Sequence, residues 1–146
     1  MQVDFYQLGQ TPLEDVIASI AAKLLSNDER LLIVAGDAAL LGRLDRILWD
    51  QGPTSFLPHG VGGGPDDAQQ PILLSSTVDA PNLARNVLIA DGEWREAALS
   101  YDRTFFLFDA HSVDAARLAW KLLAGRDGVE RRYWAQDGRD GWVQKA

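Results

Sequence analysis

Apolar residues along the chain show two spacings, one typical of strands and one of helices, which alternate from the N-terminus onward. A short strand pattern around Val3–Leu8 precedes a helical stripe over about residues 12–25, and the continuous apolar run of residues 31–35 precedes a second helical stripe that ends near Trp49. A continuous run of this kind is typical of a strand buried on both faces. Strand, helix, strand, helix predicts an α/β fold with parallel strands joined by crossover connections.

The second half of the chain extends this pattern. Three further apolar runs, at residues 72–74, 87–89 and 104–108, predict strands, and a helix is expected from Ser112 through Leu123. Two last strands, at residues 131–136 and 141–144, flank a turn at Asp137-Gly138. We therefore predict one α/β domain over residues 1–146, with a largely parallel central sheet and an antiparallel edge.

Two local signals add detail to this outline. Thr11-Pro12-Leu13-Glu14 has the form of a capping box with proline at the first helical position, and Ser112 is a candidate cap of the last helix. The stretch from Gly60 to Gln70 is rich in Gly and Asp and is predicted to be a mobile surface loop.

Composition excludes several classes of protein. The absence of cysteine rules out disulfides and thiolate metal sites, and no basic-then-apolar start suggests export, so we expect a cytoplasmic protein. No uncharged apolar run approaches the ~18 residues of a membrane span. A pI near 4.7 argues against broad direct binding to DNA phosphates, so we expect any action on DNA to be indirect.

Charge is distributed unevenly along the chain. Residues 117–146 carry seven basic and four acidic side chains, a net charge of +3, whereas residues 1–116 carry seven basic and seventeen acidic ones, a net charge of −10. Three of the five tryptophans also lie in this C-terminal region. Aromatic rings beside cations suit an anionic, partly apolar ligand such as an acidic peptide.

The helix that begins at Ser112 places Arg117, Trp120 and Lys121 at positions i, i+3 and i+4, and therefore on one face. Trp120 could form the floor of a small apolar pocket while the two cations pair with carboxylates. Tyr133 and Trp134 could wall the same pocket, although strand alternation lets only one of them point to a given face. The alternative is that Trp120 belongs to the core and the cations only solvate the helix.

A second unusual stretch carries Trp49, then Phe56, then Pro58-His59. If the two aromatic rings are exposed, they would form a hot-spot pair for a partner protein. Simple closure of the core is the alternative.

No catalytic, cofactor or metal motif stands out. The glycines of residues 60–64 lack a following Lys-Ser/Thr and precede Asp66 and Asp67, which would repel phosphate. His59 and His111 are the only histidines, and Asp109-x-His111 is a spacing common by chance. A small α/β nucleotide-binding domain or enzyme of unknown substrate remains an alternative that only the frequency of the fold favours.

Several short stretches, in order and spacing, resemble the chi subunit family of the bacterial DNA polymerase III holoenzyme. They are Asp4-Phe5-Tyr6-x-Leu8, Leu44-Asp45-x-x-Leu48-Trp49, Ser55-Phe56-x-Pro58-His59, Ala116-Arg117-x-x-Trp120-Lys121, and Tyr133-Trp134-x-Gln136 with Gly141-Trp142. The resemblance spans nearly the whole chain.

This resemblance implies a non-enzymatic, Rossmann-like α/β protein that needs no cofactor. It implies binding to the acidic C-terminal tail of single-stranded DNA-binding protein through Arg117, Trp120 and Lys121, which links the clamp loader to the coated template. A lysine that some members carry is replaced here by Val113, with Arg131 or Arg132 as candidate substitutes. Trp49 and Phe56, with Pro58 and His59, match a surface for the psi subunit or another partner such as a helicase.

Overall fold

The computed structural model describes residues 1–49, 59–62, 66–79, 81–136 and 141–146, with Trp49 described by its backbone alone. The helices are α1 (Leu13–Ser26), α2 (Ala38–Trp49) and α3 (Val113–Leu122). The strands are β1 (Gln2–Gln7), β2 (Leu31–Val34), β3 (His59–Val61), β4 (Ile72–Ser75), β5 (Asn86–Ile89), β6 (Arg103–Phe108), β7 (Glu130–Gln136) and β8 (Trp142–Gln144). Short 3₁₀ helices cover Asp67–Gln69 and Glu96–Ser100. Within these ranges no helix has the length and apolar character needed to cross a bilayer.

The strands form one sheet in the order β3-β4-β2-β5-β6-β1-β7-β8. Every neighbouring pair in it is parallel except β7 and β8, which pair antiparallel at one edge. The predicted α/β class, with a largely parallel sheet and an antiparallel edge, is therefore confirmed. The four residues of β2 are all buried, as expected for a strand covered on both faces.

Two apolar layers cover the sheet. On one side, α1 and α2 pack against alternate residues of the strands, among them Ile33, Leu88 and Phe105. On the other side, α3 and the Glu96–Ser100 turn pack against the intervening residues, among them Phe5 and Phe106. We call these the α1/α2 face and the α3 face. Because side chains alternate along a strand, each strand supplies both faces.

The two predicted helix caps differ from the structure. Pro12 occupies the N-cap position of α1, and no side chain caps that helix. The Thr11 hydroxyl instead accepts a hydrogen bond from Gln136 Nε2 at 2.7 Å, so a contact between distant parts of the chain replaces the capping box. Ser112 does precede α3, but its hydroxyl donates to Asp109 Oδ1 rather than capping the helix.

The predicted loop from Gly60 to Gln70 also needs correction, because its start belongs to β3 and Asp67–Gln69 forms a 3₁₀ turn. A strand of three residues, of which only His59 is buried, leaves too short an apolar pattern to be read from the sequence. The predictions for Phe56, Pro58, the side chain of Trp49 and the Asp137-Gly138 turn fall outside the described residues.

Candidate functional site

Helix α3 presents its two predicted cations to solvent. Ala116 and Ala119 are buried against the sheet, whereas the side chain of Arg117 is 72% exposed and Lys121 is also exposed. Alanine and leucine favour the helical conformation, and the chain leaves it before Gly125, whose φ of +73° strains any other residue. The spacing i, i+4 places Arg117 and Lys121 one turn apart on the same side of the helix.

Trp120 lies at the margin of the α3 face rather than deep in the core. Its side chain is half-buried, and its ring makes edge-to-face contacts with Phe5 and Tyr133, at centroid distances of 5.2 Å and 5.9 Å. Edge-to-face aromatic pairs hold the rings in a defined orientation. The indole is therefore fixed by the strands below it while part of its surface stays accessible beside the helix cations.

Arg131, at the start of β7, covers this indole. Its guanidinium carbon lies 3.9 Å from the centroid of the Trp120 ring, and its Nη1 donates a hydrogen bond of 2.6 Å to the Trp120 carbonyl. A cation on a tryptophan face is attracted by the ring, and a cation at a helix C-terminus also interacts favourably with the helix dipole. Of the two arginines that the sequence offers as a third cation, the structure places Arg131 beside Trp120.

Neighbouring aromatic residues of β7 point in opposite directions. Tyr133 contacts Trp120 on the α3 face, and its hydroxyl donates to Gln7 Oε1. Trp134 lies on the α1/α2 face, where it stacks against Tyr6 and donates from Nε1 to Asp4 Oδ1 at 3.2 Å. Of the two predicted pocket walls, the structure thus brings Tyr133 to the site and places Trp134 on the far side of the sheet.

The pKa of the Tyr133 phenol is influenced by burial and by the charge of Arg117. Burial raises the pKa of Tyr133 above its ordinary value of 10.0, and the positive charge of Arg117 acts in the opposite direction. We call Arg117, Trp120, Lys121, Arg131 and Tyr133 the α3 cluster.

His59 is the one residue of the predicted partner surface whose side chain the structure describes. Its ring is buried, and Nε2 lies 2.9 Å from Asp45 Oδ1 and 3.1 Å from the Asp45 carbonyl oxygen. These contacts tie β3 to α2 through Asp45, one helical turn before Trp49. The ring of His59 itself does not face solvent.

A crevice of about 450 Å³ lies where strands β5 and β6 end, which is the usual ligand position in sheets of this type. Three carboxylates there already accept backbone N–H groups at 2.9 Å. Asp37 accepts from Ala39, Asp91 from Gly36, and Asp109 from His111. A nucleotide phosphate would need these same backbone N–H groups as hydrogen-bond donors. Because the carboxylates already occupy them, the crevice does not favour the nucleotide-binding alternative.

Asp91, which lines this crevice, also forms an ion pair with Arg95, with 2.9 Å between Arg95 Nη2 and Asp91 Oδ2. Burial acts to raise the pKa of Asp91, but hydrogen bonds from Arg95, Gly36 and Glu93 outweigh it and hold the pKa below its usual range. His111 is exposed nearby. Across the part of the chain that the structure describes, no three His, Asp or Glu side chains are grouped so as to hold a metal ion.

Comparisons with known proteins give a family and a fold. The family model described as "DNA polymerase III chi subunit, HolC" matches residues 1–129. A curated relative, the DNA polymerase III subunit chi of Escherichia coli (strain K12), is 28% identical over 82 residues, a stretch that covers 56% of this chain and 56% of that protein. Arg117, Trp120 and Lys121 lie inside the family match, whereas Arg131 and Tyr133 follow it.

A solved structure described as "Mss116p DEAD-box helicase domain 2 bound to an RNA duplex" superposes with a TM-score of 0.53 and 12% sequence identity. The alignment covers 94% of this chain and 65% of that one. At this level of identity the likeness concerns the fold alone, and it agrees with the Rossmann-like arrangement of the sheet and helices.

Proposed function

The chain belongs to the DNA polymerase III chi subunit family, and from this premise we propose that it is a non-catalytic replication accessory protein that binds the acidic C-terminal tail of single-stranded DNA-binding protein. By holding that tail, the protein links the clamp loader to single-stranded template coated with the binding protein. We place this activity in the cytoplasm and assign it to one domain that comprises the whole chain.

The α3 cluster is the observation that carries this proposal. An exposed pair of cations, Arg117 and Lys121, lies beside an indole that strands β1 and β7 hold from below. The carboxylates of an acidic tail would pair with the two cations, and its terminal apolar side chain would pack against Trp120 and Tyr133. Arg131 adds a third positive charge next to the ring.

The overall charge of the protein supports a local rather than a general attraction. The chain as a whole has a net charge of −7, yet the region from residue 117 onward is positive. An acidic peptide is thus repelled by most of the surface and attracted near α3. Such steering depends on exposed charges, so we expect the affinity to fall as salt is added.

Calorimetric titration with an acidic peptide that ends in Pro-Phe tests the proposal. We expect the free C-terminus to bind and the amidated one to bind more weakly, because amidation removes the terminal carboxylate. Arg117→Ala should weaken binding by about 1.5–3 kcal/mol, since a charge-assisted hydrogen bond is lost, while the fold stays intact. Unchanged affinity of this variant would reject the assignment of the site.

Arg85 provides a matched control for Arg117. Both side chains are largely exposed, 84% and 72%, and each forms an ion pair of 3.9 Å, Arg85 with Asp102 and Arg117 with Asp114. Arg85→Ala should leave the affinity for the peptide unchanged, because Arg85 lies in the loop before β5 and outside the α3 cluster. Equal losses from both variants would indicate a nonspecific charge effect.

We also propose that Trp49, Phe56 and Pro58, with His59 as their buried support, bind the psi subunit or another partner such as a helicase. Support comes from the family membership and from the hydrogen bonds that fix His59 to Asp45. Phe56→Ala should abolish co-purification of a co-expressed psi subunit or helicase without changing the affinity for the tail peptide. Retained co-purification of each of these partners would reject this second surface.

A further inference from the structure

Helix α3 carries two leucines that the fold does not bury. Leu118 and Leu122 are 70% and 50% exposed, although each has the side chain of a typical core residue. They are four residues apart, so they lie on the same side of the helix, one turn from each other. Isolated exposed leucines are ordinary on protein surfaces, but this pair forms a continuous apolar strip directly beside the α3 cluster.

The helical period fixes how this strip is oriented. At about 100° per residue, Trp120 lies on one side of α3, Arg117 and Lys121 at the top, and Leu118 and Leu122 on the other side. The burial of Ala116, Ala119 and Leu123 on the remaining side agrees with this arrangement. An indole, the two cations with Asp114 beside them, and a leucine strip thus follow one another around the exposed half of the helix.

A peptide that runs across this helix would meet the three surfaces in order. A helix with its side chains is about 10 Å wide, a distance that an extended chain covers in about three residues. If the chain end lies at Trp120 and the carboxylates at the cations, the residues before the acidic segment reach Leu118 and Leu122. Apolar side chains at that point would bury the exposed leucines and gain affinity.

We propose, as an extension that rests on the proposed function, that Leu118 and Leu122 form a second docking element for the same acidic tail. This element would bind apolar side chains that lie upstream of the acidic segment of the tail. Charge identifies this occupant. Arg117 and Lys121 beside the strip favour a partner that combines carboxylates with apolar groups, whereas a symmetric contact of two copies through the strip would bring their Arg117 and Lys121 side chains together and be unfavourable.

The test compares a short peptide, which ends at the acidic segment, with a longer one that adds at least about three upstream residues, some of them apolar. The double variant Leu118→Asn/Leu122→Asn should weaken binding of the long peptide about five- to tenfold and leave the short peptide unaffected. Arg117→Ala should weaken both. Leu83→Asn, which changes an exposed leucine in the loop between β4 and β5, serves as the matched control and should alter neither.

The outcomes separate this inference from the proposal on which it rests. If the leucine variant binds both peptides normally while Arg117→Ala weakens both, the strip is not a docking element and the proposed site stands. If Arg117→Ala has no effect on either peptide, the proposed site fails and the inference fails with it. Loss of a dimer on substitution of the leucines, seen in light scattering without a change in peptide affinity, would assign the strip to a second copy and overturn the inference.

Discussion

The two faces of the sheet around strand β7 carry similar residues but use them differently. On the α1/α2 face, Asp4 is fully buried and accepts hydrogen bonds from Gln2 at 2.9 Å, from Arg103 at 2.8 Å and from Trp134 at 3.2 Å. On the α3 face, the guanidinium of Arg117 lies 3.9 Å from the carboxylate of Asp114, which is 94% exposed.

The position of the counter-ion explains the difference. We call the first set of residues the Asp4 cluster (Gln2, Asp4, Arg103 and Trp134). It contains its own buried carboxylate, so its hydrogen-bond donors are satisfied inside the fold and stabilise the protein. In the α3 cluster, Arg117 instead pairs with the solvated carboxylate of Asp114, an interaction worth little in water. Arginines and aromatic rings close together therefore do not by themselves mark a binding site.

The largest expected effect comes from removing that acceptor. Asp4→Ala should lower the free energy of unfolding by about 3 kcal/mol, because Arg103 and Trp134 lose their partner beneath the sheet. The value lies at the low end for a broken buried pair, since water can reach part of the Arg103 side chain. Denaturant unfolding measures the loss, and the peptide affinity of the folded fraction should not change.

Asp114→Ala is the matched control, since it removes the acid partner of Arg117 on the other face. Its effect on stability should stay within about 0.5 kcal/mol, as for most exposed substitutions. A large loss in this variant, or a negligible one in Asp4→Ala, would show that the two faces do not differ in the way described.

The contrast also shows how far the sequence predicts this molecule. The runs of β2, β4, β5 and β6 were predictable because they are continuous and apolar, and helices α1, α2 and α3 because their apolar stripes are regular. Alternation predicted that Tyr133 and Trp134 point to opposite faces. It could not predict which of them joins Trp120, because that depends on how β7 pairs with β1, opposite Phe5 and Tyr6.

Contacts between distant parts of the chain limited the rest of the prediction. In place of the predicted capping box at Thr11, Gln136, far away in the sequence, hydrogen-bonds both the amide and the hydroxyl of Thr11. Arg131 could be offered only as one of two candidate cations, because its place over the Trp120 ring depends on where α3 ends and β7 begins. The exposure of Leu118 and Leu122 equally depends on which side of α3 the sheet covers.

Substitutions of the two consecutive arginines on β7, Arg131 and Arg132, should have smaller effects that differ from each other. Arg131→Met keeps an unbranched chain over the Trp120 ring but loses the cation and the hydrogen bond to the helix carbonyl, so it should cost about 1–2 kcal/mol of stability. The variant should also lower the affinity for the tail peptide, because the α3 cluster loses one positive charge. Thermal or denaturant unfolding and calorimetry measure the two effects.

Arg132→Met is the matched control on the opposite face. Its Nη2 donates to Gln2 Oε1 at 2.8 Å, so this variant should also lose some stability. Its affinity for the peptide should match that of the unmodified protein, since the sheet separates Arg132 from α3. An equal loss of peptide affinity in both variants would mean that binding depends on the total charge of the protein and not on which face of the sheet carries the arginine.

The smallest expected effect is a shift in the ionisation of the tyrosines that flank the sheet. Burial is the main cause that raises the pKa of both Tyr6 and Tyr133 above the ordinary 10.0, but Asp4 raises that of Tyr6 further whereas Arg117 lowers that of Tyr133. A raised pKa means that the unfolded tyrosine ionises first, so stability should fall as the pH rises above 10.0. In Arg117→Ala, NMR of tyrosine ring carbons should show a higher pKa for Tyr133 and the same value for Tyr6. A pKa of Tyr133 that does not move would mean that Arg117 does not face that phenol, and the α3 cluster would lose one of its cations.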